Sequence, residues 1–237
     1  MRAVVFTNKE VDLEGLEIEE VYVIFAKSAK GNITLSERGE MLSLAQSKLP
    51  IIKRAEEIIE KLEKKHNVIG MSVVFGEYEK EIDRVLEAQK PDLVIAGRYM
   101  PLTEKLFASN TAILFYRGKI VLDRLLYVHS EGAKAEKAMG WLKKGKEVLL
   151  LGIVEPMLPP ESHAKRMKEA QEKIKKELEE ISTDLNANRV VLVGNIGEEV
   201  KRISSEFDAD LIILGKSIGK DKVEEIIEKT EVTLLLL

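Results

Sequence analysis

A chain of 237 residues with 45% hydrophobic and 33% charged side chains has the balance of a soluble globular protein, and its length allows one or two domains. The formal net charge of −4 offers no basic field for nucleic acid, and the absence of cysteine removes disulfides, thiol catalysis and cysteine-ligated metal. No apolar run approaches the ~18 residues of a membrane span, and the opening MRAVVFTNKE reads as a strand rather than a secretory signal, so a cytoplasmic location is expected.

In chain order, Ala3 to Phe6 and Val21 to Phe25 are short strands of the buried type. The stretch between them, around Val11 to Leu16, holds a turn or loop but too little for a crossover helix. A long helical pattern runs from about Ser36 to Lys65, with Ile51, Ile52, Ala55, Ile58, Ile59 and Leu62 at three- and four-residue steps; Pro50 is expected to break or kink it. A strand at Met71 to Phe75, a helix through Ile82, Val85 and Leu86, a strand at Leu93 to Ala96, a short helix near Leu102 to Phe107 and a strand at Ala112 to Tyr116 follow. Arg117-Gly118-Lys119 is the predicted turn into a second half. There the order recurs: strand Leu125 to Val128, helix Ala133 to Lys143, strand Val148 to Leu151, and a loop from Glu155 to Pro160. A charged helix from Glu161 to Ser182, strand Val190 to Val193, helix Val200 to Phe207, strand Leu211 to Leu214, helix Val223 to Ile227 and strand Val232 to Leu237 complete it. Near-continuous apolar strands separated by helices mark a parallel sheet covered on both faces.

The chain also contains itself twice. Adding 118 to Val74, Phe75, Gly76, Ile82, Arg84, Val85, Asp92, Leu93, Val94, Ile95 and Gly97 gives Leu192, Val193, Gly194, Val200, Arg202, Ile203, Asp210, Leu211, Ile212, Ile213 and Gly215. Apolar positions stay apolar, and the glycines, the arginine and the aspartate recur. A domain-sized period means two copies of one fold.

This order, with Val190 to Gly215 (VVLVGNIGEEVKRISSEFDADLIILG) and Val73 to Gly97 as third strand, helix and fourth strand, resembles the universal stress protein family. Ser130-Glu131-Gly132-Ala133-Lys134 is similar to that family's loop after the first strand, and Leu151 to Pro156 to its second strand and exit. The resemblance spans nearly the whole chain. It implies an α/β protein of two tandem Rossmann-like (adenine-nucleotide α-hydrolase-like) three-layer sandwiches with parallel sheets, over residues 1–118, with an eroded first helix, and 119–237.

The family's ATP-binding branch carries an acidic residue after the first strand and a Gly-x-x-Gly-x9-Gly-(Ser/Thr) loop after the fourth. Such glycines let backbone N–H groups approach phosphate at a helix N-terminus. Neither half keeps the loop: the second glycine position is Met100 or Ile218, and the final pair is Asn110-Thr111 or Glu228-Lys229. The acidic position reads Asn8 in one half and His129 in the other. The resemblance therefore implies no cofactor, with ATP or AMP the candidates should one bind.

The residues that could still bind a ligand gather in the second half. Gly215, Lys216, Ser217, Gly219 and Lys220 form a strand-to-helix turn that could cradle an anion, against the plainer reading of a solvated glycine turn. His129 and Ser130 follow the first strand of that half, where open α/β sheets bind ligands; a polar loop role for His129 is the plainer reading. Arg98 in the first half could meet an anion or simply pack. His66 and His163 lie by charged helices, and three histidines without cysteine give no metal spacing. The run Lys165 to Glu180 reads as a solvated helix face, and Trp141 as a core or interface anchor.

The expected function is non-catalytic: stress response or regulation through contacts with an unknown protein partner, with neither nucleic acid nor membrane bound. The alternative is a sensor of nucleotides or small anions using the second-half cleft; an enzyme is disfavoured because no base, metal set or nucleophile can be named. A binder would keep that cleft open, whereas an interaction module would fill it with side chains such as Met100 or Ile218. The apolar last strands, Ala112 to Tyr116 and Thr233 to Leu237, could pair edge to edge, making the tandem chain an intramolecular pseudo-dimer that could further assemble into a homo-oligomer.

Overall fold

The structure is a computed structural model describing residues 1–27, 40–75, 78–97, 100–118, 120–130, 135–156 and 160–237; of residues 27, 40–48, 75 and 160–163 it describes the backbone alone. Outside these lie Arg98, the loop Glu131 to Lys134, the loop Met157 to Pro159, Gly76 of the repeat, Lys119 of the expected turn and the first residues of the long first-half helix; the side chain of His163 is also outside them. The chain divides into two compact units, Met1–Thr111 and Ala112–Leu237.

In the first unit, β1 (Arg2–Thr7), β2 (Glu20–Lys27), β3 (Asn67–Phe75) and β4 (Leu93–Ala96) form a parallel sheet in the order β3-β2-β1-β4. β1 and β2 are central, so their apolar side chains are covered; Ala3, Val5 and Val23 have no exposed surface. The crossovers are α1 (Glu40–Glu63) from β2 to β3 and α2 (Tyr78–Gln89) from β3 to β4. These run in opposite directions along the sheet, so right-handed connection puts them on opposite faces and makes three layers. Between β1 and β2 no helix forms. Instead Val11, Leu13 and Leu16 are buried around a turn closed by the Leu16 amide donating to the Leu13 carbonyl at 3.2 Å.

Two local expectations are corrected. Pro50 sits inside α1 without ending it, which removes the break but not the kink from the expectation: its missing donor and its ring's crowding of the carbonyl four residues back fall within one turn, while Ala55, Ile58, Ile59 and Leu62 keep the following turns docked. β3 starts at Asn67, four residues earlier than the apolar run suggests, because Gly70 is roofed by the Tyr22 ring; a Cβ there would lie 2.8 Å from Tyr22 Cε2. The short α3 (Glu104–Ala108) begins at Thr103, whose hydroxyl accepts from the Leu106 amide at 3.1 Å.

The second unit begins with β5 (Ala112–Phe115) and continues with β6 (Arg124–His129), β7 (Glu147–Val154), β8 (Asn188–Val193), β9 (Leu211–Leu214) and β10 (Thr233–Leu236). The order is β5-β10-β9-β6-β7-β8, with parallel pairing throughout except between β5 and β10. Those two strands run antiparallel, Leu234 opposite Phe115 and Leu236 opposite Ile113. Helices α4 (Glu136–Leu142) and α5 (Pro160–Leu185) connect β6, β7 and β8; α6 (Ile196–Glu206) and α7 (Lys220–Lys229) make the return crossovers. Two glycines set the layer spacing. A Cβ on Gly152 would meet Ile174 Cγ2 at 2.3 Å, so α5 lies directly on β7. A Cβ on Gly197 would meet Glu225 Oε1 at 2.6 Å, so α6 and α7 pack closely, clamped by Lys229 Nζ at 2.7 Å from both Glu198 and Glu225. Trp141 is half-buried, with the Lys144 ammonium 5.5 Å from its ring centre.

Candidate functional site at the carboxyl ends of the second-unit strands

In the second unit the sheet changes direction between β6 and β9, which are adjacent and parallel. Their carboxyl ends are the place where an open α/β sheet offers a crevice. β6 delivers His129 and Ser130 there, and β9 delivers Gly215 and the turn after it.

His129 is the last residue of β6 rather than a loop residue, and only 2% of it is exposed. Its side chain turns toward α5, with Nε2 2.8 Å from Glu177 Oε2 and Nδ1 3.3 Å from the Tyr127 hydroxyl. The tautomer follows from the partners. An ionised Glu177 can only accept, so in the neutral imidazole Nε2 carries the proton and Nδ1 accepts from Tyr127. Burial, reinforced by the Glu177 charge, pushes the Tyr127 phenol up to about 12, which keeps it a donor. Both imidazole nitrogens are therefore spent inside the protein, and His129 does not face the turn after β9.

That turn is compact. Lys216–Ile218 make one 3-10 turn, and Gly219 at φ 96° reverses the chain into α7, a conformation that favours glycine. Its amides are taken: Lys216 N–H donates to the Leu237 carbonyl at 2.9 Å, Ile218 N–H to Gly215 at 3.2 Å and Gly219 N–H to Lys216 at 3.1 Å. Ile218 is buried in the turn. Ser217 is exposed, and its hydroxyl lies 3.1 Å from that of Ser130, the contact that joins the two loops. Lys216 is half-buried; burial first, then the nearby Lys137 charge, brings its ammonium down to about 8. Lys220 lies 3.9 Å from Glu224 on its own helix, and Lys222 pairs with Glu155 at the exit of β7. Of the sequence candidates, the structure thus brings Ser130 together with Gly215, Lys216, Ser217, Gly219 and Lys220, and leaves His129 on the other side of its strand.

In the first unit, Met100 is buried and its amide donates to the Gly97 carbonyl at 3.2 Å. A cavity of about 290 Å³ opens at the carboxyl ends of β1 and β2, bounded by Asn8, Phe25, Ala26, Pro50, Ile51 and Arg54. A second, of about 370 Å³, lies at the amino ends of β7 and β8, away from Ser130. Glu177 is hidden in the sequence because the charged run Lys165 to Glu180 reads as a solvated face. Its position between the buried Ile174 and Leu178 was the available signal. Among the described residues there is no group of three metal-ligating side chains, and no helix is long and apolar enough to cross a membrane.

No family model matches the sequence. An uncharacterized protein of Archaeoglobus fulgidus is 34% identical over 237 residues, which is 100% of this chain and 94% of that protein. Among solved structures, a universal stress protein from Archaeoglobus fulgidus matches over 99% of this chain and 95% of its own, with a TM-score of 0.58 at 12% identity. A putative universal stress protein from Pseudomonas aeruginosa matches over 100% of this chain and 92% of its own, again with a TM-score of 0.58 and 12% identity. The fold is that of the tandem universal stress proteins. The chain belongs to one family with the Archaeoglobus fulgidus relative.

Proposed function

We propose that this protein is a non-catalytic, universal-stress-protein-like regulator that acts in the cytoplasm through contacts with other proteins and binds no ATP. One observation carries the reading: the turn after β9 spends the amides of Lys216, Ile218 and Gly219 on its own backbone. A phosphate cradle needs such amides unspent and pointing outward. The buried Ile218 and Met100 stand where the nucleotide-binding branch has a glycine. The antiparallel β5–β10 ladder supports reading the chain as a fused dimer, joined by the last strand of each repeat.

A second reading, a small-anion sensor, has its own support in the half-buried Lys216 beside the Ser130–Ser217 pair. The two separate in thermal unfolding of the protein with ATP, ADP, AMP, cyclic dinucleotides and inorganic phosphate. A ligand at a hundredfold its dissociation constant adds about 2.7 kcal/mol of stability. We expect no shift with any of them. A shift with phosphate that Ser217→Ala abolishes would favour the sensor, and a shift with ATP would overturn the principal reading.

A further inference from the structure

We propose that the cavity at the amino ends of β7 and β8 is a binding site for a free amino acid with an apolar side chain. This goes beyond the functional reading above and does not depend on it.

The cavity, of about 370 Å³, arises from a step in the sheet. β7 pairs with β6 from Glu147 onward, but with β8 only from Leu149 opposite Asn188, so Glu147 and Val148 pair with no strand on their β8 side. Leu142, Val148, Leu185 and Phe207 give the resulting notch an apolar floor; Leu142 is buried and the other three are half-buried. Backbone contacts hold its walls in place. On one side the loop from α4 to β7 is pressed onto the sheet at Gly145, where a Cβ would lie 2.7 Å from Leu125 Cδ1 and 3.2 Å from Val148 Cγ2. The Gly145 amide donates to the Leu142 carbonyl at 3.1 Å, and the Lys146 amide to the Asp123 carbonyl at 2.9 Å. On the other side α5 ends at Asn186, with φ 50°, and the Ala187 amide donates to the Ser182 carbonyl at 3.2 Å. Ligand sites range over roughly 300–1,000 Å³, so a cavity near the lower limit suits a molecule of amino-acid size.

Charge selects among such molecules. Four charged residues line the cavity, and two of them are satisfied: Lys146 Nζ lies 2.9 Å from Asp123, and Glu147 Oε2 lies 3.7 Å from Arg124 Nε. Lys143 and Asp184 are exposed, and neither side chain makes a hydrogen bond or ion pair among the described residues. They line one cavity from two different elements without pairing with each other, so one ligand carrying both charges can meet both. Asp184 stands in the last turn of α5, which carries no basic residue, so its carboxylate adds to the negative end of the helix. An ammonium group relieves both. A simple anion would meet Lys143 but face Asp184, and an organic cation would meet Asp184 but face Lys143. A zwitterion meets each with its opposite, and the amides of Asn186 and Asn188 supply donors and acceptors beside them. Its apolar side chain then covers the floor and removes that surface from water.

Titration of the 15N-labelled protein with L-phenylalanine tests this. The backbone amides of Gly145, Val148, Leu185 and Phe207 should shift saturably, and those of Ser130 and Ser217 should not move. Phenethylamine, which lacks the carboxylate, and phenylpropionate, which lacks the ammonium, should each bind on the order of tenfold more weakly. Lys143→Gln and Asp184→Asn, both at exposed positions that leave the fold intact, should each weaken phenylalanine by a similar factor. Lys143→Gln should also make phenethylamine and phenylalanine bind alike, and Asp184→Asn should do the same for phenylpropionate, equalities that a merely structural change would not produce. No saturable shift up to the solubility limit of phenylalanine would overturn the proposal. So would shifts centred on the turn after β9, glycine binding as tightly as phenylalanine, or variants that bind all three probes as the wild type does.

Discussion

The two units connect their first and second strands differently. In the second, β6 leads to α4, which buries Ala138 and Leu142. In the first, the equivalent stretch forms no helix and covers the sheet with Val11, Leu13 and Leu16 instead. A parallel crossover therefore needs buried apolar area over the strands more than it needs helical hydrogen bonds, and three well-placed side chains on a loop can supply it. The cost falls on backbone order, because a loop fixes its residues without the repeating ladder that a helix provides.

The sharpest way to break this comparison is to truncate both plugs. Leu13 and Leu142 are each 1% exposed. Leu142→Ala should destabilise its unit by about 2–5 kcal/mol in urea unfolding, the range for a buried leucine whose cavity cannot collapse. Leu13→Ala should cost as much if the loop is as rigid as the helix. A loss well below 2 kcal/mol with an unchanged m-value would mean that the loop closes over the gap, and that the two connections are not equivalent.

A smaller effect separates the two ends of these first strands. β1 closes with a local turn, in which the Thr7 hydroxyl donates to the Lys9 carbonyl at 2.5 Å. β6 closes through Tyr127, His129 and Glu177, which tie it to α5. Glu177→Ala strands the Nε2 proton of a nearly buried imidazole, and we expect a loss of about 1–3 kcal/mol. Glu177→Gln keeps an acceptor oxygen and should recover most of it. Equal losses in the two variants would show that the carboxylate acts by charge rather than by accepting a hydrogen bond.

How far the sequence reveals this follows from what each feature depends on. β6, β9 and β10 were legible because strands buried on both faces must be apolar at every position, which no loop imitates over this length. The glycine turn was legible as a turn, but the direction of its amides was not: that depends on Leu237 and Gly215 accepting them, a matter of tertiary placement. The first residues of β3 were hidden because Gly70 reads as a break until Tyr22 is seen over it. The Tyr127–His129–Glu177 chain joins residues 48 apart, His129 and Glu177, through a helix whose charge pattern suggests solvent on every side but one.

The smallest effect concerns Lys216: both turns bury an apolar side chain at the equivalent position, Met100 in the first unit and Ile218 in the second, and the second also half-buries this amine. Burial and Lys137 lower the Lys216 ammonium from 10.5 to about 8 in the folded protein. Between those values the unfolded chain binds a proton that the folded chain has released. Stability therefore rises with pH across that window and is reduced below it, the sign expected when a folded-state lysine is depressed. The group is still partly solvated, so the slope should be shallow. Lys137→Gln removes one of the two causes and should move the Lys216 titration upward, as followed by its side-chain 15N shift, leaving the part due to burial. An unchanged titration would mean that burial alone sets the value. The second-unit turn would then hold an amine lowered by enclosure alone, with no repulsion for an anion to relieve.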